Sequence, residues 1–331
     1  MPRRASARSS KSARPSGPAV SAPDAAPPQV ITVAGEALID LVIGRDGAVT
    51  AHLGGGPFNV ARICAMLGGS VRFVGRLADD AFGHRLQAEL ERLGVGLVVG
   101  RLSRAPTTLA IAELDQGGRA RYRFHLDGTS AARLSRDDVA PGALRDAGAF
   151  VTGGLALVAE PTASTLLRLL GSVPDAATVV LDPNCRPNAI ADPPRYPEAV
   201  LRFVPHAQIV KCSVEDLGVL EPAADVRTAA SRLLALGPAA VVVTDGPAPI
   251  RIYTGADERA VAVEPVEVVD TVGAGDAFLG GLLRWWTERE LARERAADVE
   301  LLTEATLAAI RVARAACTVP GANLPDAFEW R

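Results

Sequence analysis

The sequence has few of the residues and segments that mark several common classes of protein. Only four cysteines occur in 331 residues, and their wide spacing fits neither a zinc site nor a secreted disulfide scaffold. The four histidines also lack metal-ligand spacing. No apolar run reaches the roughly 18 residues that cross a bilayer, and none follows the basic N-terminus. We therefore expect a cytoplasmic protein with reduced thiols and no membrane contact.

Lysine is scarcer still, since Lys11 and Lys211 are the only two in the chain. A P-loop kinase needs a lysine directly after a glycine, and neither lysine has that neighbour, so this class is excluded. A dinucleotide-binding motif would need three spaced glycines after the first strand, but the chain there is VAGEAL. The net charge of −3 gives no overall basic field, which argues against a nucleic-acid partner.

What is present indicates a globular α/β chain with a leader. The hydrophobic content of 48% supports a substantial core. Residues 1–29, by contrast, are rich in Ala, Ser, Pro and Arg, and we expect a disordered basic tail ahead of one domain over residues 30–331. An organellar transit peptide is the alternative for this leader, and its prolines argue against an amphipathic pattern.

Short valine-rich segments alternate with helix-length segments, as in an α/β fold with a mainly parallel sheet. The predicted strands are residues 30–34, 71–75, 150–152, 178–181, 208–210, 240–244 and 266–269. Two stretches, residues 36–53 and 97–126, instead predict hairpins, the second around a turn at 115–118. They would form a small β-sheet that closes over a ligand as a lid or serves as a homodimer contact.

Residues 268–278, VVDTVGAGDAF, predict a strand, a glycine-rich turn and a helix start. Free backbone amides at a helix start, with the helix dipole, form an anion site that suits a phosphate. Asp276 lies beside these amides, where it either caps the helix or takes the proton from an attacking hydroxyl. The glycines before it favour the second role, because they let the backbone approach a phosphate.

Residues 54–61, GGGPFNVA, predict a second glycine turn that opens a helix, with Pro57 in the first turn. Three glycines permit close contact between backbone and ligand, and Asn59 offers both a donor and an acceptor to hydroxyls. The motif therefore suits a polyol. A tight turn that requires positive φ is the alternative explanation for the glycines.

These two motifs, with VGRLADDAFG at 74–83, resemble the two signatures of the ribokinase-like (PfkB) carbohydrate kinases. The resemblance covers about residues 30–328. It implies a three-layer α/β/α sandwich with a mainly parallel central sheet and a small β-sheet lid. It also implies ATP and Mg²⁺ as cofactors, with K⁺ as an open hypothesis.

The resemblance also assigns roles to individual positions. Asp276 would be the catalytic base. The anion hole would consist of Gly273, Ala274 and Gly275. The implied sugar contacts are Asp40, Gly54, Gly55, Asn59 and Arg186. The implied nucleotide contacts are Asn184, Lys211, Thr244, Gly246, Thr271, Gly273 and Gly275. Pairing with a local carboxylate is the alternative role for Arg186.

Two further positions concern metal ions. Where the family has an Asn-x-x-Glu motif, this chain has Ser213 and Asp216 with Glu215 between them. Either carboxylate would serve Mg²⁺ through water, and a plain helix cap at Ser213 is the alternative. Asp270, with the chain near residues 316–322, resembles the family's monovalent-cation loop.

Within the family, DPNCRP at 182–187 and YRFHLDGT at 122–129 resemble the fructokinases most, followed by the 2-keto-3-deoxygluconate kinases. The resemblance implies that MgATP phosphorylates a sugar hydroxyl, with fructose as the first candidate. Another sugar, a keto-sugar acid or a nucleoside is the alternative substrate. A catalytically silent sugar-binding regulatory protein on the same fold is the alternative outside enzymes.

Overall fold

The first strand of the chain, β1 (Val30–Ala34), is fully buried inside a nine-stranded sheet. The computed structural model describes residues 29–114, 120–190 and 193–330. All but the last residue of the predicted tail, and the predicted turn at 115–118, lie outside the described residues. The remaining strands of this sheet are β4 (Val71–Val74), β5 (Gly96–Leu97), β8 (Ala147–Gly153), β9 (Thr178–Asp182), β10 (Ile209–Ser213), β11 (Ala240–Thr244), β12 (Ile250–Thr254) and β13 (Glu258–Val261).

The large sheet is parallel except at one edge. Its strand order is β13-β12-β11-β10-β9-β8-β1-β4-β5. Neighbours from β11 to β5 pair in parallel, whereas β12 and β13 add two antiparallel strands beside β11. Because most strands run the same way, their carboxyl ends meet at one edge, where open α/β sheets bind ligands.

Side chains from both faces of this sheet enter a hydrophobic core. Ile31, Val33 and Val242 pack on one face, while Ala34 and Val243 pack on the other, as the two-residue period of a strand requires. Helices α1 (Gly56–Met66), α2 (Ala81–Arg92), α7 (Ala274–Glu288) and α8 (Val299–Ala316) cover the first face. Helices α3 (Thr162–Leu170), α4 (Tyr196–Leu201), α5 (Val214–Leu220) and α6 (Val226–Ala235) cover the second. The predicted three-layer sandwich is confirmed.

The two predicted hairpins form a separate four-stranded sheet, the lid sheet, although the second begins at Thr108, and Leu97 at the start of the predicted stretch belongs to β5 of the large sheet. Its strands are β2 (Leu38–Ile43), β3 (Val49–Gly54), β6 (Thr108–Leu114) and β7 (Ala120–His125). The order is β3-β2-β6-β7, and the parallel pair β2–β6 joins the two hairpins. Asp40 and Tyr122 lie on the same face of this sheet by register. A homodimer contact through the lid sheet stays a prediction.

The prediction of a strand at residues 266–269 is wrong. This segment pairs with no strand of the described chain, and Val268 and Val269 are 56% and 61% exposed. It contacts the end of α8 instead, since the amide of Val269 donates to the carbonyl of Cys317 at 2.8 Å. The antiparallel strands β12 and β13 were missed, and β13 is the edge strand on that side. Valine content indicates a fit to a pleated surface and not a pairing partner, so propensity alone placed the strand too late.

No helix in the described residues has the length and apolarity needed to span a membrane.

Candidate active site

The predicted site residues converge at the carboxyl-end edge of the large sheet. Asp182 is the last residue of β9, Lys211 lies in β10, and Asp276 lies in the first turn of α7. The glycine turn before α1 approaches them closely, because a Cβ on Gly56 would lie 3.6 Å from the Asp276 Oδ1 atom. The two glycine-rich motifs, about 200 residues apart in the sequence, therefore form one site.

Asp276 is buried and does not cap its own helix. Gly273 occupies the N-cap position of α7 and no side-chain cap bond forms there. The Asp276 Oδ2 atom instead accepts a hydrogen bond from the Asn59 Nδ2 atom at 2.8 Å. Burial raises the pKa of Asp276 to about 7, although the Asn59 bond and the charge of Lys211 oppose that rise. A carboxyl that titrates near neutrality is suited to accept a proton at physiological pH.

The turn before α7 has a backbone that only glycine fits at its first position. Gly273 has φ of 77°, and a Cβ there would overlap Ala322. The first i→i−4 helical bond runs from the Ala277 amide to the Gly273 carbonyl at 2.8 Å. The amide of Ala274 donates to the Thr271 carbonyl at 3.2 Å, so this member of the predicted anion hole has a partner within the turn. The amides of Gly275 and Asp276 come before the helical ladder, at its positive end.

A buried ion pair stands next to this helix start. The Lys211 Nζ atom lies 2.9 Å from the Asp182 Oδ2 atom, and both side chains are 6% exposed. The same Nζ atom would lie 3.2 Å from a Cβ on Gly275. Burial lowers the pKa of Lys211, but the hydrogen bond and attraction to Asp182, together with the charges of Asp216 and Asp276, keep the pKa above its usual value. Lys211 therefore carries a positive charge where an anion would meet the start of α7.

Asp40 projects from the lid sheet on the other side of the site. Its carboxylate packs against Gly54 so closely that a Cβ on that glycine would overlap the Oδ2 atom. Burial raises the pKa of Asp40 to about 6, and the charges of His52 and Arg186 oppose the rise. Gly55, with φ of 106°, satisfies the turn alternative, since only glycine adopts this conformation without strain.

The loop after β9 brings Asn184 and Arg186 to the same edge. Asn184 has φ of 40°, an uncommon value for a non-glycine residue. Its Nδ2 atom would lie 2.7 Å from a Cβ on Gly56. Arg186 is exposed, and its Nη1 atom donates to the Cys185 carbonyl at 2.8 Å. Its charge lowers the pKa of Asp40 and of Asp276, so it lies within electrostatic reach of both predicted functional carboxyls.

The two acids predicted to serve Mg²⁺ are placed differently. Asp216 is buried and forms a capping box with Ser213, whose backbone amide and hydroxyl both donate to the Oδ2 atom. Its Oδ1 atom accepts the Cys185 amide at 2.6 Å. Glu215 is exposed in the first turn of α5. Within residues 29–114, 120–190 and 193–330, no group of three or more His, Cys, Asp or Glu is arranged to hold a metal ion.

The other predicted nucleotide and cation positions lie in loops around this edge. Thr244 ends β11 and its hydroxyl donates to the Cys212 carbonyl at 3.3 Å. Gly246 has φ of 49° with open space around it, and Thr271 is exposed. Asp270 accepts the Val272 amide at 3.0 Å and the Gly321 amide at 2.8 Å. Its carboxylate therefore joins the turn before α7 to the chain after α8.

Sequence reasoning missed three residues of the site. Asp182 was part of the DPNCRP motif but was given no role, and its Oδ1 atom has no hydrogen-bond partner among the described residues. Glu36 follows β1, accepts the Ala156 amide at 3.1 Å, and has its pKa raised to about 7 by burial. Tyr122 on the lid sheet has its pKa raised by burial and by the charge of Asp40. Its place at the start of YRFHLDGT was the signal for Tyr122 in the sequence.

This combination of a parallel sheet, a strand-built lid and a buried acid at a glycine-rich helix start defines a ribokinase-like sugar kinase. The family model described as pfkB family carbohydrate kinase matches residues 29–327. The chain belongs to this family and is a phosphotransferase with an alcohol group as acceptor.

Similarity to individual proteins agrees with the family. A fructokinase of Klebsiella pneumoniae is 33% identical over 257 residues, which is 76% of this chain and 83% of the relative. The crystal structure of a fructokinase from Xylella fastidiosa with bound ATP has a TM-score of 0.82 and 28% identity, covering 89% of this chain and 94% of that one. A fructokinase double mutant from Vibrio cholerae O395, in a form with fructose, ADP and potassium ion bound, has a TM-score of 0.77 and 25% identity over the same shares.

Proposed function

We propose that this protein transfers the γ-phosphate of ATP to a hydroxyl of a sugar, with Asp276 as the general base. The observation that carries the proposal is the buried Asp276 carboxyl, with a pKa of about 7, next to a cationic Lys211 at a helix start. One group can receive the proton of the alcohol while the other attracts the phosphate. The ATP bound in the X. fastidiosa structure supports the choice of nucleotide.

The sugar would bind between the lid sheet and the start of α1. Asp40 presents a carboxylate from the lid sheet, and Asn59 contacts the catalytic carboxyl with one amide atom. The Asn59 Oδ1 atom has no partner among the described residues, so it is available to accept from a sugar hydroxyl. Fructose is the proposed substrate, supported by the fructokinases similar to this chain and by the fructose in the V. cholerae structure.

The phosphate side would use the backbone and Lys211 together. As the γ-phosphate moves to the sugar, its negative charge would lie between the amides of residues 273–276 and the Lys211 ammonium. Lys211 is already held by Asp182, so little reorganisation is needed when charge develops. We assign the remaining loops, with Asn184, Thr244, Gly246 and Thr271, to the nucleotide.

The carboxylate oxygens near Asp182 would suit a cation that is held partly through water. Magnesium ions neutralise charge on the transferred phosphoryl group in kinases. Both oxygens of Asp216 already accept protein donors, so direct ligation by that residue would break its capping box. The Asp182 Oδ1 atom, by contrast, accepts no hydrogen bond from the part of the chain that the structure describes. We propose that Asp182 and Asp216 contact Mg²⁺ through water, with exposed Glu215 further out.

The monovalent-cation hypothesis concerns the loop that contains Asp270. The potassium ion in the V. cholerae structure supports it. In this chain both Asp270 oxygens accept backbone amides. Such an ion would therefore bind beside a loop that Asp270 already joins through backbone hydrogen bonds, and we propose that it increases activity and is not required for folding.

The proposal is tested by measuring ADP release with a panel of acceptors. The purified protein with MgATP is given hexoses, pentoses, keto-sugar acids and nucleosides, and calorimetry measures binding of each acceptor in parallel. We expect one acceptor, fructose first, to stimulate ADP release far above the rate with ATP alone. If acceptors bind but none of them stimulates ADP release, the proposed kinase activity is refuted and a sugar-binding regulator is favoured.

A further inference from the structure

Arg62 is a buried arginine to which no role has yet been assigned. It lies in α1, three residues after Asn59, and it is 7% exposed. Its Nε atom lies 2.9 Å from the Glu89 Oε1 atom of α2. A buried guanidinium is costly unless its donors are satisfied. The partners of the other two nitrogens show which part of the chain Arg62 holds.

Both terminal nitrogens of Arg62 hold the chain that follows α8. The Nη1 atom donates to the Ala322 carbonyl at 2.8 Å, and the Nη2 atom donates to the Asn323 Oδ1 atom at 2.7 Å. These bonds span about 260 residues of sequence. We call residues 321–323 the C-terminal clamp, because they contact the turn before α7.

The C-terminal clamp contacts that turn at two points. The Gly321 amide donates to Asp270 at 2.8 Å, and the second oxygen of Asp270 accepts the Val272 amide at 3.0 Å. Ala322 packs directly against Gly273, where even a single Cβ would overlap. Movement of the clamp would therefore move the turn that presents the phosphate-binding amides.

We propose that Arg62 is a positioning residue that sets the turn at 270–275 relative to the catalytic carboxyl. This inference rests on the proposed function. Helix α1 contacts the two parts of the site by separate routes: Asn59 bonds Asp276 directly, and Arg62 holds the clamp that holds the turn. One rigid helix thereby keeps the base and the phosphate-binding amides in register. Misplacement of reacting groups by about 1 Å costs on the order of 100-fold in rate.

A purely structural role for Arg62 makes a different prediction. Loss of a buried ion network lowers stability in general, and activity below the melting temperature then stays normal. A positioning role affects mainly one side of the site, because the clamp contacts that carry the inference go to the phosphate turn, at Asp270 and Gly273. The Michaelis constant for ATP and the value of kcat would change, while the Michaelis constant for the sugar would not.

The test compares Arg62→Met and Arg62→Lys with Arg284→Met as the matched control. Arg284 is a partly buried residue of α7, about ten residues after the turn, where it donates to the Leu67 carbonyl at the end of α1 at 3.0 Å and pairs with Glu288. Asn323→Ala is a milder variant that removes one of the three Arg62 contacts. Steady-state kinetics give kcat and both Michaelis constants, and hydrogen exchange gives the protection of residues 268–275.

We expect Arg62→Met to lower kcat/KM for ATP ~10- to 100-fold with an unchanged sugar KM. Arg62→Lys and Asn323→Ala should lose less, and Arg284→Met should stay close to wild type. Exchange at residues 268–275 should increase in Arg62→Met more than in the rest of the chain. Normal kcat and normal exchange in that segment, or equal losses in Arg284→Met, would overturn the inference. Because exchange needs no substrate, an inactive wild type would refute the proposed function and leave this measurement valid.

Discussion

The side-chain amide of Asn59 donates to the carboxylate of Asp276 at 2.8 Å, which joins the two glycine-rich motifs of the chain. Each motif opens a helix, so the contact also fixes the start of α1 against the start of α7. The bond favours the charged form of the carboxyl, whereas burial favours the neutral form. The balance between these two effects, with the charges of Asp182, Lys211 and Arg186, sets the proton affinity of the proposed base.

Asp276→Asn should abolish most turnover and leave substrate binding in place. The amide keeps the size of the side chain but cannot accept the proton, so we expect kcat to fall by ~100- to 10,000-fold. Calorimetry with the sugar and with MgATP should show affinities near those of the wild type. The matched control is Asp298→Asn, which removes an acid that caps α8 outside the site. Near-normal turnover in Asp276→Asn would refute its role as the base.

The pH dependence of kcat/KM should report the proton affinity of Asp276. The base must be deprotonated, so activity should rise about tenfold per pH unit below pH 7 and level off above it. Asn59→Leu removes a bond that stabilises the charged form, so the rise should move to higher pH. Asp298→Asn should leave the profile unchanged. A wild-type profile that stays flat from about pH 5.5 to about pH 8 would contradict the assignment of Asp276 as the base.

Lys211→Met should impair both folding and catalysis, and a second substitution separates the two effects. The single variant leaves Asp182 buried without its partner, at a cost of about 3–5 kcal/mol in the free energy of unfolding. Adding Asp182→Asn removes that unpaired charge, so denaturant unfolding should show most of the stability restored. Activity should stay low, because the phosphate still lacks the Lys211 ammonium.

The exposed ion pair of Arg232 and Glu221 is the control, and Arg232→Met should change stability by less than about 1 kcal/mol. Recovery of activity in the double variant would argue against a role for Lys211 with the phosphate.

Gly54→Ala should weaken sugar binding selectively. The added methyl group would overlap the Asp40 carboxylate and displace it. We expect the Michaelis constant for the sugar to rise ~10-fold or more, with a smaller change in that for ATP. Gly100→Ala is the control, because a Cβ at Gly100 meets open space. An unchanged Michaelis constant for the sugar in Gly54→Ala would argue against a contact between Asp40 and the sugar.

Much of the fold follows from patterns within short segments. Valine-rich segments marked the six inner parallel strands to within a few residues, and the two hairpins were both found. Pro57 with the glycines that flank it correctly predicted α1. These features are local, since a strand period or a helix start depends on neighbouring residues. The strand at 266–269 failed because pairing depends on a partner that the segment itself does not specify.

The candidate site was predictable where a residue lies inside a motif. Asp276 and Asn59 were both marked, and the structure brings them together. Asp216 was marked as a metal contact through water; its oxygens accept Ser213 and Cys185 donors, and the metal contact stays a prediction. Arg62 gave no signal at all, because an arginine in an amphipathic helix most often faces water.

The sequence by itself determined the α/β layering, the lid, and the presence of an acid at a glycine-rich helix start, because each is written in local spacing and side-chain type. Only the tertiary structure decided how strongly Asp276 holds its proton, that the Oδ1 atom of Asp182 has no donor among the described residues, and that Arg62 reaches Ala322. Proton affinity and hydrogen-bond satisfaction depend on desolvation and on charges from distant segments. Those segments meet only when the chain has folded.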